Sequence, residues 1–199
     1  MYPTPIFLAT RNRHKTHEIQ TMLGSGVVVR DATEVPELPE IEETGTTFEA
    51  NARLKAEGIS RHIAGLVLAD DSGLEVDALG NEPGIYSARY AGPGCTDLQN
   101  TELVLEKMRG VLPEQRAARF RCVLAVAREG ETVATFDGTV EGMLTTEMTG
   151  EGGFGYDPIF MPEGYEKSFG ELPSDLKNTM SHRARALEQF RAWLTEMQK

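Results

Sequence analysis

The sequence predicts a mixed α/β fold, and three observations carry that prediction. Short apolar runs alternate with helical patterns in the first half of the chain, as they do where strands and helices take turns along a sheet. Within residues 47–64, Phe48, Ala52, Ala56, Ile59 and Ile63 recur at helical spacing behind a Thr46/Glu49 capping box, the pattern of an amphipathic helix. Two later runs, Phe120–Ala127 and Val133–Val140, flank Glu129-Gly130, which reads as a hairpin turn. Alternation followed by a hairpin predicts a mixed sheet and not a purely parallel one.

In chain order, Ile6–Ala9 predicts a first strand. Thr10, the basic run Arg11–Lys15 and a short helix carrying Ile19, Met22 and Leu23 follow, and Gly24 ends the helix. Val27–Val29 predicts a second strand, and the Pro- and Glu-rich stretch from Asp31 to Glu43 a loop. After the capped helix, Leu66–Ala69 predicts a buried strand, with Leu74, Val76 and Ala78 alternating behind it up to Leu79. Pro83-Gly84 marks a turn, and Ile85–Gly94 reads as a loop with two tyrosines. Thr96 and Gln99 form a second capping box, opening a helix with Val104, Leu105 and Met108 that Gly110 and Pro113 stop. Residues 150–157 form a glycine-rich aromatic loop and Ile159-Phe160 a short strand. A last helix, from near Ser181, carries Leu187, Phe190, Leu194 and Met197.

At 199 residues the chain is sized for a single domain, 1–199, whose core needs no disulfide. Its net charge of −11 argues against a nucleic-acid partner, whose phosphates require a basic surface. Cys95 and Cys122 lack metal-ligand spacing. No apolar run approaches the roughly 18 residues of a membrane span, and Met1–Arg13 lack the apolar core of a signal peptide. These readings place the protein in the cytoplasm with no membrane partner.

Chemistry concentrates at Gly65–Gly73, where the apolar run meets Asp70, Asp71 and Ser72. Ligands in α/β proteins gather beyond the carboxyl ends of strands, and adjacent carboxylates repel unless a cation joins them. Two readings stand: a site for Mg2+, which one or two carboxylates hold together with substrate phosphates, or a strand ending in an Asx turn. Glu42-Glu43 is a second acidic pair that on its own reads as solvated loop. Basic residues sit where helix dipoles disfavour them: Arg11, Arg13, His14 and Lys15 at one helix start, His182 and Arg183 at another, with Lys177 just upstream. Either an anion such as phosphate lies there, or the side chains reach into water. Asn51 and Lys55 share one face of the capped helix, away from its apolar stripe. Phe154 and Tyr156 among glycines suggest an aromatic platform for a flat ring, or a tight turn with core aromatics.

Together these pieces resemble the inosine/xanthosine triphosphate pyrophosphatases. The matching stretches are Thr10-x-Asn12-x-x-Lys15, Glu42-Glu43-Thr44-Gly45-x-Thr47-Phe48, Asn51-Ala52-x-x-Lys55-Ala56 and Ala69-Asp-Asp-Ser-Gly-Leu74. Pro83-Gly-Ile-Tyr-Ser-Ala-Arg-Tyr90, Gly152-Gly-Phe-Gly-Tyr-Asp-Pro-Ile-Phe160, Lys177 and Ser181-His-Arg183 continue the series in family order. The resemblance implies a long curved central sheet with flanking helices forming two lobes around a cleft, and a homodimer. It implies hydrolysis of noncanonical purine nucleoside triphosphates (ITP, dITP, XTP) to the monophosphate and pyrophosphate, with Mg2+ as cofactor. Asp71 would be the general base and a Mg2+ ligand, with Asp70 beside it and Glu42 or Glu43 supplying a further ligand. Thr10, Asn12 and Lys15 would hold the phosphates, joined by Lys55 and by the neighbouring Arg11, Arg13 and His14. Ser72, Phe154, Gly155, Tyr156, Asp157, Lys177, His182 and Arg183 would hold the nucleoside. A donor to the purine O6 would be Arg183, a cation at a helix start that disfavours cations, or a backbone N–H. Position 11 departs from the family, which often has a small residue there, and position 50 is Ala where many members have Glu. One rival reading is a broad Mg2+-dependent phosphatase or a Maf-like nucleotide pyrophosphatase, which would release orthophosphate or prefer pyrimidine or canonical substrates and which product identity separates. The other is a nucleotide-binding sensor that has lost catalysis, which would bind inosine triphosphate without turnover.

Overall fold

The computed structural model describes residues 5–197. Its strands are β1 (Ile6–Leu8), β2 (Val29–Asp31), β3 (Val67–Val76), β4 (Ala117–Arg128), β5 (Glu131–Leu144) and β6 (Phe160–Pro162). They form one mixed sheet in the order β2-β1-β3-β4-β5-β6. β1 lies parallel to both β2 and β3, and β5 lies antiparallel to β6. The α-helices are α1 (Arg13–Leu23), α2 (Phe48–Ser60), α3 (Asp97–Lys107), α4 (Ser174–Met180) and α5 (His182–Met197). The mixed α/β class expected from the sequence is the one observed.

Several local expectations shift. The N-cap of α2 is Thr47, whose side chain accepts the Ala50 N–H, and not Thr46; Glu49 pairs with Arg53 instead of closing a capping box. Either of two adjacent threonines can cap a helix; Thr46 alone has a Glu three residues on, yet the helix starts from Thr47, which has Ala50 there. The Thr96/Gln99 box forms as expected. The second strand starts later than Val27, and the 85–94 loop contains a 3-10 turn over Gly84–Arg89. Ile159 closes another 3-10 turn and Phe160 begins β6. The short helix α4 had no periodic signal. Between β4 and β5, Glu129 (φ 55°) and Gly130 (φ 88°) are both left-handed, the backbone of the tight hairpin turns that match strand twist.

One correction bears on the site. β3 runs through Asp70, Asp71, Ser72 and Gly73 without a break, so the Asx-turn reading of this stretch does not hold. Both carboxylates are therefore fixed by sheet geometry.

The chain divides into two compact units. The first comprises residues 1–71, 122–138 and 183–199, and the second 72–121 and 139–182. In the first, Ile6 and Leu8 of β1, Leu68 of β3 and Leu124 and Val126 of β4 pack with Ile19 and Leu23 of α1 and Leu187 and Phe190 of α5. In the second, Leu74, Val76, Phe120, Val140 and Phe160 pack with Val104 and Met108 around α3. No helix among the described residues is long and apolar enough to cross a membrane.

Candidate active site

The first unit holds a chain of opposite charges. Asp70 is buried at 4% exposure and accepts from Lys15 of α1 and, at 2.9 Å, from Arg183 Nε of α5. Arg183, 1% exposed, reaches Glu18 with its other side at 2.5 Å. Burial opposes ionisation of Asp70, but Arg183 and Lys15 outweigh it and hold the carboxyl well below its ordinary value. Cys122 on β4 also donates to Asp70, at 3.2 Å, and burial with this neighbour pushes the thiol well up. Lys15 and Arg183, two of the cations at these helix starts, thus answer anions of the chain itself.

Asp71, the next residue, meets opposite conditions. Burial pushes its carboxyl above the ordinary value; Lys55 pulls it back in part, and Glu43 adds to the rise. Lys55 Nζ donates to Asp71 Oδ1 at 2.8 Å, to Glu43 Oε1 at 2.7 Å and to the Asp70 carbonyl at 2.9 Å, which uses all the donors of an ammonium. Burial alone would lower the Lys55 pKa, but Asp71 and Glu43 raise it, so the lysine keeps its charge. Asp71 Oδ2 is buried with no hydrogen-bond partner. Glu43, and not the exposed Glu42, is the member of the acidic pair that shares a cation with Asp71.

The basic run at α1 divides. Asn12 caps the helix, its Oδ1 accepting from the His14 and Lys15 N–H groups, and Thr10 Oγ1 accepts the Asn12 N–H. Arg11 donates to the Ala32 carbonyl at 3.1 Å and the Leu38 carbonyl at 3.0 Å, so its guanidinium ties down the 32–38 loop. Arg13 and His14 are exposed. Sequence reasoning missed Glu18, although an acid three residues after Lys15 shares its helical face.

In the second unit, Asp157 and Lys177 form a buried pair at 2.6 Å. Asp157 Oδ2 also accepts the Phe154 N–H at 2.8 Å, and Lys177 Nζ lies 4.9 Å from the Phe154 ring centroid. A Cβ on Gly153 would lie 2.1 Å from Asp157 Oδ2, which explains the glycine in this loop. Gly155 donates its N–H to Asp97 at 2.9 Å, and Tyr156 donates its hydroxyl to the Ser87 carbonyl at 2.8 Å, buried. His182 stacks on Phe120, centroids 4.8 Å apart. Tyr156 is a core aromatic, while Phe154 stays half-exposed. Ser72 follows Asp71 on β3, half-buried.

Among the described residues, no three His, Cys, Asp or Glu side chains are placed to hold a metal on their own. Asp71 and Glu43 are hard oxygen donors, and the uncompensated Asp71 Oδ2 is an acceptor with capacity to spare. That set fits a hard dication completed by water and substrate oxygens.

The sequence profile of the Ham1 family matches residues 6–193. The chain is 47% identical to the dITP/XTP pyrophosphatase of Bacillus licheniformis, over 96% of this chain and 98% of that protein. It is 49% identical to the protein of the same name from Bacillus subtilis, over 92% and 93%. Among solved structures, the Staphylococcus aureus Ham1 protein superposes with a TM-score of 0.86 at 40% identity, covering 98% of this chain and all of that one. Extended sequence identity and a shared fold lead to one conclusion: this chain belongs to the Ham1 family.

Proposed function

We propose that the protein hydrolyses noncanonical purine nucleoside triphosphates (dITP, ITP and XTP) to the monophosphate and pyrophosphate, removing damaged purines from the nucleotide pool. The observation that carries this is near-full-length identity to proteins named dITP/XTP pyrophosphatase, together with a buried carboxylate, Asp71, held beside a cation and a second carboxylate. Asp71 takes the proton of the attacking water; its raised pKa makes it a stronger base than an exposed aspartate. Asp71 and Glu43 would hold Mg2+, which would supply neutralisation of phosphate oxygens there. Lys15 offers its ammonium to the departing pyrophosphate, and Thr10 and Asn12 line the phosphate path, while Lys55, whose donors are committed to Glu43, Asp71 and the Asp70 carbonyl, adds positive charge beside it. Asp70 keeps Lys15 in place and is bound by two cations, so we assign it to positioning and not to the metal.

Base recognition falls to Phe154 and the 154–157 loop with Ser72, Lys177 and His182. Arg183 is committed to Asp70 and Glu18, which argues against a direct contact with the purine O6. A loop N–H aimed at O6 is left unpaired by the adenine amino group, and such mismatches can discriminate by about 10⁴ or more. A pool-cleansing enzyme belongs in the cytoplasm, and the family resemblance carries a homodimer with it.

The test is incubation with dITP, XTP, dATP and dGTP in Mg2+, resolving all products. Monophosphate and pyrophosphate from dITP and XTP, with little from the others, is the expected result. Orthophosphate as first product, or binding of dITP without turnover, overturns the proposal.

A further inference from the structure

Helix α2 carries two stripes. One is apolar, through the buried Phe48, Ala52, Ala56 and Ile59. The other runs through Asn51, Lys55 and Gly58, at the four- and three-residue steps that keep positions on one helical face. Residues 41–45, which include Glu42 and Glu43, have no regular secondary structure. This segment meets the second stripe three times, in reverse order. Gly45 donates its backbone N–H to Asn51 Oδ1 at 2.8 Å. Glu43 accepts from Lys55 at 2.7 Å. Ile41 packs against Gly58, close enough that a Cβ on that glycine would lie 2.5 Å from Ile41 Cδ1.

The two glycines make this approach possible in different ways. A Cβ on Gly45 would lie 2.6 Å from Asn51 Oδ1 and 2.7 Å from the Ala50 Cβ, on a helix that cannot yield. At Gly58 the obstacle is the far end of a side chain, which can turn aside. Asn51 is fully buried, and its Nδ2 has no hydrogen-bond partner. An unpaired buried donor is unfavourable, so this position is not tuned for stability alone. What Asn51 supplies is the acceptor for Gly45.

We infer that Asn51, Gly45 and Gly58 are positioning residues, and that the second stripe of α2 is the template that sets the Glu43 carboxylate beside Asp71. Lys55 is the middle contact of the three, so the carboxylate is registered from both sides along the chain. None of the three touches substrate. The inference rests on the metal-dependent hydrolysis proposed above.

The test compares Asn51→Ala, Gly45→Ala and Gly58→Ala with the unsubstituted protein by two readouts. The first is backbone hydrogen exchange over residues 41–46 without nucleotide. The second is the Mg2+ concentration that gives half-maximal dITP hydrolysis. Losing the Asn51 contact should speed exchange in this segment by about ten-fold, the equivalent of one hydrogen bond, with the rest of the chain unchanged. The Mg2+ requirement should rise several-fold, most for Gly45→Ala and least for Gly58→Ala, while kcat at saturating Mg2+ changes far less. Faster exchange with an unchanged Mg2+ requirement would show that the anchoring does not serve the ligand, and unchanged exchange would show that Asn51 does not hold the segment. If Gly45→Ala or Asn51→Ala unfolds, Gly58→Ala decides by the same two criteria. Failure of the unsubstituted protein to hydrolyse dITP would overturn the proposed function instead, and the exchange measurement would still judge the anchoring.

Discussion

The charged cluster of the first unit and the glycine loop of the second solve different problems. In the cluster, Lys15, Glu18, Glu43, Lys55, Asp70, Asp71 and Arg183 come from α1, α2, α5, β3 and one loop. Consecutive carboxylates there end up with opposite properties, Asp70 held ionised and Asp71 raised, because one faces two cations and the other shares one. The 150–157 loop carries the Asp157–Lys177 ion pair, and its shape comes from glycines, backbone hydrogen bonds and aromatic packing. The contrast teaches that charge placement tunes reactivity, whereas close backbone approach shapes a surface for recognition.

The sharpest way to break this comparison is to substitute one residue in each region. Asp71→Asn should lower kcat for dITP by about 10²–10⁴, the usual share of a general base, with folding retained. Lys177→Met, in the other region, should act mainly on KM and on the preference for dITP over dATP. Similar losses of kcat from both would erase the division of labour.

Arg183 probes whether the cluster is also structural. Arg183→Met removes the guanidinium that Asp70 and Glu18 share and leaves Lys15 as the cation on Asp70; breaking such a buried pair costs roughly 3–5 kcal/mol. Urea unfolding should show that loss, and the ratio of kcat/KM for dITP and dATP should hold steady. A stable variant with a collapsed ratio would return Arg183 to the base. Lys15→Ala should then weaken a triphosphate inhibitor by about 1.5–3 kcal/mol, the worth of a charged hydrogen bond, and a monophosphate hardly at all. Equal weakening of both would move Lys15 away from the departing pyrophosphate.

The smallest effects separate the two aspartates by pH. Asp71 acts deprotonated and its pKa is raised, so kcat/KM should fall as pH drops through a value above the ordinary 3.8. The Asp70 pKa is depressed, so its stabilising charge is fully present above 3.8 and is lost only as pH falls through its lower folded value. A rate–pH profile run beside an unfolding–pH profile should therefore show the activity limb at higher pH. One shared limb would mean that the two carboxylates titrate as a pair.

Much of this was legible in the residues, for identifiable reasons. Alternating apolar runs located β1, β3, β4 and β5 because burial on a sheet has a short, local period. Basic residues at the starts of α1 and α5 marked the charged cluster, since a helix dipole is also local. What those residues face was not legible. Arg183 lies 113 residues from Asp70 and 165 from Glu18, and no local pattern encodes such pairs. Arg11 looked like a phosphate ligand for the same reason, yet its acceptors are carbonyls 21 and 27 residues away. Asp70-Asp71-Ser72 resembled a turn by composition, and sheet pairing overrode that propensity.

The Glu18–Arg183–Asp70–Lys15 chain also says something about biosynthesis. Its other three members emerge from the ribosome long before Arg183 does, so Asp70 and Glu18 spend most of translation without the guanidinium they share. The first unit, assembled from three separated segments, cannot complete its charged cluster until α5 docks. Long-range closure of this kind is slow relative to local helix formation. A nascent chain therefore passes through a stage in which β3 is translated and Asp70 has Lys15 but not Arg183, and α5 is the segment whose arrival completes the cluster.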